Sequence, residues 1–575
     1  MAKRFLAIIA LLLLASIASA QIDTDPGTIS ELTAVMRYEG TVRSSGVGSA
    51  ALNVRIPQAD IDTIKTTGAT GFLFEDSTGN RVLRLVFRDL KEGDFPFSAD
   101  IVFRNFAKST PAGLNIDESD TYWLRPSQSV PLTEQVFRRA WPFDDRTLSH
   151  AAELALDVAA KEKNAVTLAA LLRAAGIPAR MAEGYAPRTP GKYERVSWVE
   201  IPALDAQLNE HWVPFDPANQ RGGWLSAASI PFAYLLDSSQ YSTQLEYTGT
   251  GSASLVASSV SISPEALRRS LPIAIESAQP AIAFPDNLNG FISVRAKTDG
   301  CTLVPIEALS CRDESGRPVL DIMESRKNMW VCGEQGVRWF FSTQRSNFVC
   351  PVVVKSPISA DASVRVDVNG GAERKQLLIA GPAAAKLGGS IGLEARGVPE
   401  SAFGSALFYS QQFGSSSAPY WELAISKPGK HTFYLYYDGS LATHAVETTR
   451  GKSFILSASS PNSVRFGSEL KVRTSVQNLA AEARAVLVRM RVGGNIQSRQ
   501  VEVPALQSAT ADFSISPEAV GTLEYFVYTD DPAVEIVSGR VEVTPLRGIE
   551  TAIAQPTADF LTSFIKLFFG IFGLG

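Results

Sequence analysis

AALLRAAGIPARMAEGY, residues 169–185, sets strong helix formers directly ahead of Gly-Ile-Pro and a strand-like continuation. Alanine and leucine favour helix, Gly176 supplies a left-handed stop and Pro178 blocks any further turn, so a helix over Ala165–Ala174 is predicted to hand over to a strand. Working outward, helical periodicity also marks Leu132–Arg139 and Leu148–Ala160, after Pro126. Strand patterns follow at Arg195–Ile201 and His211–Phe215. Helices packed on these strands make an α/β core of ordinary domain size.

Two further segments give that core a resemblance. Val196-Ser197-Trp198-Val199-Glu200 and Trp212-Val213-Pro214-Phe215-Asp216-Pro217, taken with AALLRAAGIPAR, resemble the signature of the transglutaminase-like superfamily. The resemblance implies a papain-like α/β fold with a cysteine at a helix N-terminus, a histidine on one strand and an aspartate on the next. Counted back from Arg173, the cysteine position is Lys161, and the histidine position is Val196. Only Asp216 of the three implied catalytic residues is present. A thiolate nucleophile draws on a helix dipole and a neighbouring imidazolium, and the carboxylate orients the ring; loss of two members removes that chemistry. No cysteine occurs between Met1 and Gly300, so no shift of frame restores it. Lys161 would also set a positive charge where the N-terminal dipole of the signature helix favours a negative one.

No other histidine takes over. His211 and Asp216 are an odd number of residues apart on one strand and point to opposite faces. His150 precedes the signature helix and reads as a surface residue, while His431 and His444 belong to a distant module. The expected catalytic set is therefore none. Trp198, Trp212 and Asp216 remain as candidate ligand contacts, against the reading in which the tryptophans and Phe215 fill the core and Asp216-Pro217 makes a turn.

The whole chain of 575 residues exceeds what one core supports. It reads as multi-domain and mainly β. Lys3 and Arg4, the apolar run Phe5–Leu14 and Ala18-Ser19-Ala20 read as a signal peptide at 1–20. A β-sandwich is expected at 21–125, the transglutaminase-like domain at 126–245 and a serine-rich linker with at most one helical turn at 246–282. Segments opening at Gly336, Gly429 and Gly521 each lead into aromatic-rich strands, about one immunoglobulin-like domain apart. They predict tandem sandwiches at 283–356, 357–452 and 453–546, acting as a stalk. The segment 547–575 reads as a linker and an amphipathic helix, Phe560–Gly575, too short to span a bilayer but suited to membrane contact.

Cys301, Cys311, Cys332 and Cys350 fall in one module of an exported chain, which predicts two disulfides of undetermined pairing. A metal site is the rival reading, but no Cys-x-x-Cys pair and no nearby histidine support it. Loss of Lys3 and Arg4 moves the formal charge from −5 to −7, and no basic block points to nucleic acid. No cofactor is expected. The expected role is a non-catalytic, exported surface protein that binds a protein or peptide or acts as a spacer. The alternatives are a self-assembling cell-envelope subunit and an acyltransferase or protease with non-standard residues.

Overall fold

The computed structural model describes residues 26–545 except 120, 141–145, 190–191, 238–242, 278–288, 345–347, 369–374, 387–388, 426–428, 450–452, 481, 518 and 532–533. The expected signal peptide and the helix at Phe560–Gly575 lie outside the described residues. Strands dominate, and two four-stranded sheets face each other at the N-terminal end. They are built from β1 (Ile29–Ser45), β2 (Ser49–Arg55), β3 (Asp60–Thr67), β4 (Thr70–Glu75), β5 (Arg81–Arg88) and β6 (Glu92–Phe106). Two later strands, β15 (Gln244–Thr248) and β16 (Ala253–Arg269), complete orders β16-β1-β6-β3 and β15-β2-β5-β4. Alternation along each strand buries Leu32, Met36, Leu52, Leu85, Ile101 and Phe103 between the sheets.

The described part of the expected linker, residues 246–277, is thus built mostly of strands. β16 pairs antiparallel with β1 from Ile29↔Arg269 to Ser44↔Ala253. Most of its side chains are exposed, so the small polar residues that suggest a linker form a solvent face. The backbone ladder holds them, and its partner lies more than two hundred residues away in sequence.

The central region begins with β7 (Lys108–Pro111) and β8 (Asn115–Ile116) and continues into helices α1 (Glu134–Ala140), α2 (Leu148–Lys161) and α3 (Ala165–Ala174). Thr147 caps α2 through a bond from the His150 amide, and Asn164 caps α3 through one from Val166. The α3 terminus closes as Gly176 allows: at φ +82° its amide bonds Arg173 O (3.1 Å), and Ile177 N bonds Leu172 O (2.9 Å). β9 (Arg180–Thr189), β10 (Lys192–Leu204) and β11 (Glu210–Asp216) follow, then β12 (Arg221–Gly222), β13 (Trp224–Leu225) and β14 (Ile230–Leu235). On one face of this sheet Val199, Ile201, Val213 and Phe215 pack with Leu168 and Leu172 of α3.

The cysteine module has a core of its own, but its strands are continuous with the central sheet. β17 (Ala274–Ser277), β18 (Asn289–Leu309), β19 (Asp321–Ile322), β20 (Arg326–Ser342), β21 (Phe348–Lys355) and β22 (Ala362–Val368) extend the same sheet. Two junctions join them to it, Gly222↔Leu303 and Cys301↔Thr110. Disulfides link Cys301 to Cys332 and Cys311 to Cys350. The first crosses β18 and β20 at directly paired positions, so the bridge is set by strand register.

Two further sandwiches each pair a three-stranded with a five-stranded sheet. In both, the glycine-led aromatic segment is a strand, Gly429–Tyr437 and Gly521–Thr529, and the glycine is its first residue. Gly336, by contrast, lies inside β20. The last sandwich does not extend the chain as a stalk. Its Phe526, Tyr528 and Ile536 join the core of the helical layer, with the Phe526 ring 4.5 Å from that of Phe137 on α1. Next to them, the fully buried Arg491 donates to the carbonyls of Arg173 and Leu124.

Candidate functional site

Lys161 is the last residue of α2, not the first of α3. Its ammonium is largely exposed and pairs with Asp157 one turn earlier, at 2.6 Å. A helix C-terminus favours a cation, so the unfavourable dipole expected at this position does not arise. Lys163, two residues on, sits at φ +53° and turns the chain toward the Asn164 cap. Lys161 borders an open cleft of about 790 Å³ shared with Trp330 of β20 and with Lys430 and Tyr434 of the first of the two further sandwiches. Val196, Trp198, Trp212 and Asp216 do not line it.

Register explains the separation. Val199 pairs with Phe215, which places Trp198 opposite Asp216 and sets Val196 on that same side. Strand alternation turns these residues away from Val199, Phe215 and the helices. Val196 packs against a small cluster of Ala182, Trp198 and Leu225. Gly184, across from Val196, has no room for a side chain: a Cβ there would meet Ile230 O at 2.1 Å and the Trp198 ring at 2.9 Å. The histidine position is therefore occupied by apolar packing.

Asp216 ends β11 and accepts from Asn219, at 3.2 Å from the amide and 2.6 Å from Nδ2. Burial pushes its carboxyl above the ordinary value, and these bonds together with Arg221 only partly counter it. His211 does not approach it; Nε2 lies 3.2 Å from Asp205 Oδ2. His150, expected at the surface, is buried on α2, with Nε2 3.3 Å from Ala140 O. The helical period brings it onto the same covered face as Ala151 and Leu154.

Trp198 is a core residue, 1% exposed, and its Nε1 donates to Glu200 Oε1 at 3.0 Å. That bond belongs to a charged cluster the sequence reading did not single out. Glu200 is fully buried and accepts from Lys108 of β7 and from Arg180 of β9, whose Nη2 lies 2.6 Å away. Burial alone would raise the Glu200 carboxyl, but the two cations outweigh it and hold it at about 2. The Arg180 guanidinium lies between two rings, 3.4 Å from Trp212 and 3.7 Å from Tyr234. Trp212 is half-buried and meets Trp123 edge-on at 6.0 Å. Glu200 and Arg180 both stand in the quoted motifs; a carboxylate and a cation on neighbouring hydrophobic strands were the available signal.

Arg173 ties the domain together. Its guanidinium donates to the carbonyls of Ala179, Arg125 and Leu236 at 2.9–3.1 Å. Burial, and then the Arg491 charge nearby, pushes it down to about 10. Among the described residues no group of histidine, cysteine and carboxylate side chains could hold a metal ion, and no helix is long and apolar enough to cross a membrane.

No curated protein matches the chain. Among solved structures, the CARDB domain of a Pyrococcus furiosus protein is 18% identical over 16% of this chain and 94% of its own, with TM-score 0.15. A four-domain ectodomain fragment of ICAM-5 is 16% identical over 48% and 77%, with TM-score 0.16. A β-glucosidase from Listeria innocua is 17% identical over 16% of each chain, with TM-score 0.14. Residues 142–217, which hold α2, α3 and β9 to β11, match the family described as the transglutaminase-like superfamily, so the chain carries a transglutaminase-like domain.

Proposed function

We propose that this is an exported, non-catalytic surface protein in which the transglutaminase-like domain serves as a binding or spacing unit. Two disulfides suit an extracellular setting. The observation that carries the reading is the separation of Lys161 from the other two family positions: Lys161 is salt-bridged at the end of α2, while Val196 is packed against Trp198 on the face of the sheet turned away from the helices, the face that also carries Asp216. With Lys161 and Val196 at these positions, the cysteine–histidine pair of the family's acyl-transfer chemistry is missing. Release of ammonia from glutamine-containing peptides, and incorporation of a primary amine, should be undetectable for the wild type and for Lys161→Ala alike. Turnover in the wild type that Lys161→Ala abolishes would overturn the proposal.

A second reading, a structural subunit of a cell envelope, draws on the return of the last sandwich onto the helical layer. Docking of the last sandwich on the helical layer holds distant parts of the chain together. Large symmetric contacts between purified copies support this reading, whereas a monomer that captures a defined surface protein or peptide supports binding.

A further inference from the structure

The edge strands of this protein are not alike. β3 closes one N-terminal sheet and carries Asp60, Asp62 and Lys65. The edge strand of the last sandwich, Asn495–Val503, carries Arg499 and Glu502. Charges on an edge discourage pairing with another chain. β4, the edge of the other N-terminal sheet, reads Thr-Gly-Phe-Leu-Phe-Glu and has no charge before Glu75. Phe72, Leu73 and Phe74 are 50%, 51% and 38% exposed, and among the described residues β4 pairs with β5 alone. Because side chains alternate, both faces of this edge are apolar.

We propose that β4 is a self-association strand: the β4 strands of two copies of this chain pair antiparallel about a two-fold axis at Leu73, fusing their sheets. The sequence favours a second copy over a foreign strand because Phe72-Leu73-Phe74 reads the same in both directions. About that axis Phe72 faces Phe74 of the second copy, Leu73 faces its counterpart, and Glu75 faces Gly71, so no like charges meet. Aromatic cross-strand pairs form on one face, and the leucines continue the other. Such a contact is isologous and closes on itself. The proposal rests on the envelope-subunit reading and names one of its surfaces.

Cysteine placement tests the register. All four native cysteines are in disulfides, so Leu73→Cys adds a lone thiol. Directly opposed strand residues lie about 4.5–5.5 Å apart between Cα atoms, within reach of a disulfide. Mild oxidation of the full mature chain should convert Leu73→Cys into a covalent dimer, several-fold more completely than Phe72→Cys or Phe74→Cys. In sedimentation equilibrium the wild type should gain mass with concentration, and Phe72→Lys/Phe74→Lys should weaken association about tenfold or more. An unchanged melting temperature shows that the double variant is folded, and the cysteine comparison stands without it. A wild type that stays monomeric at its highest soluble concentration overturns both the proposal and the envelope reading. Self-association that persists in the double variant, with no preference for Leu73→Cys, overturns the β4 contact and leaves assembly through another surface.

Discussion

The two faces of the β9–β10–β11 sheet solve burial in opposite ways. On the helical face, Val199, Ile201, Val213 and Phe215 meet α3, and the last sandwich packs Phe526 and Tyr528 against the same layer. Most of that core is hydrocarbon, and the charge brought into it, Arg491, sits on main-chain carbonyls near the end of α3, where the helix dipole favours a cation. The other face buries Glu200 between Lys108 and Arg180, each held further by Tyr234 or Trp212. One face is closed by another domain and the other by its own ion pairs. Neither face offers a free thiol, since all four cysteines are in disulfides.

The largest effect should come from breaking the charged face. Glu200→Ala leaves two cations without their carboxylate, and removal of one partner from a buried pair costs about 3–5 kcal/mol. Thermal or denaturant unfolding measures it; a loss below about 1 kcal/mol would mean that the cluster is solvated in solution. The same group sets an acid limit. Its folded value, about 2, lies below the roughly 4.3 of an unfolded glutamate, so its contribution is complete above the unfolded value and is lost as pH falls toward the folded one. Glu200→Gln should flatten stability against pH between about 5 and 2.

Arg491→Met tests the helical face. Hydrogen bonds to charged groups contribute about 1.5–3 kcal/mol, and the carbonyls of Arg173 and Leu124 would lose their donor. The last sandwich should undock, with a larger radius of gyration in solution scattering and a separate unfolding transition. An unchanged radius would show that Phe526 and Tyr528 suffice.

Two smaller effects concern Asp216 and Lys161 themselves. Burial raises the Asp216 carboxyl, so its ionised form weakens the fold as pH rises through the unfolded and then the folded value. Asp216→Asn keeps an oxygen for Asn219 and should leave stability at neutral pH unchanged or raise it by less than about 1 kcal/mol. A marked loss would show that the charge itself is needed. Lys161→Ala removes one exposed pair with Asp157 and should cost at most about 0.5 kcal/mol.

The helices were legible because their apolar period is local and Gly176 stops α3; the Thr147 and Asn164 caps came to light only in the structure. β16 was not legible, because a strand is completed by its partner and β1 lies far away in sequence. The continuity of the cysteine module with the central sheet was hidden for the same reason, since Gly222↔Leu303 joins segments about eighty residues apart. His150 shows the limit on single residues: its position on α2 follows from the sequence, but the cover over that face does not.

The sequence by itself determined the resemblance to the family frame, the absence of any cysteine before Cys301, and the confinement of all cysteines to one module. These are local facts of residue identity and spacing. Only the tertiary structure decided that Lys161 and Val196 are kept apart, that Glu200 is neutralised by Lys108 and Arg180, and that the last sandwich returns to α1 and α3. Each depends on which face of a strand meets which distant element, a choice settled by the joint burial of apolar surface and pairing of charge across the whole chain.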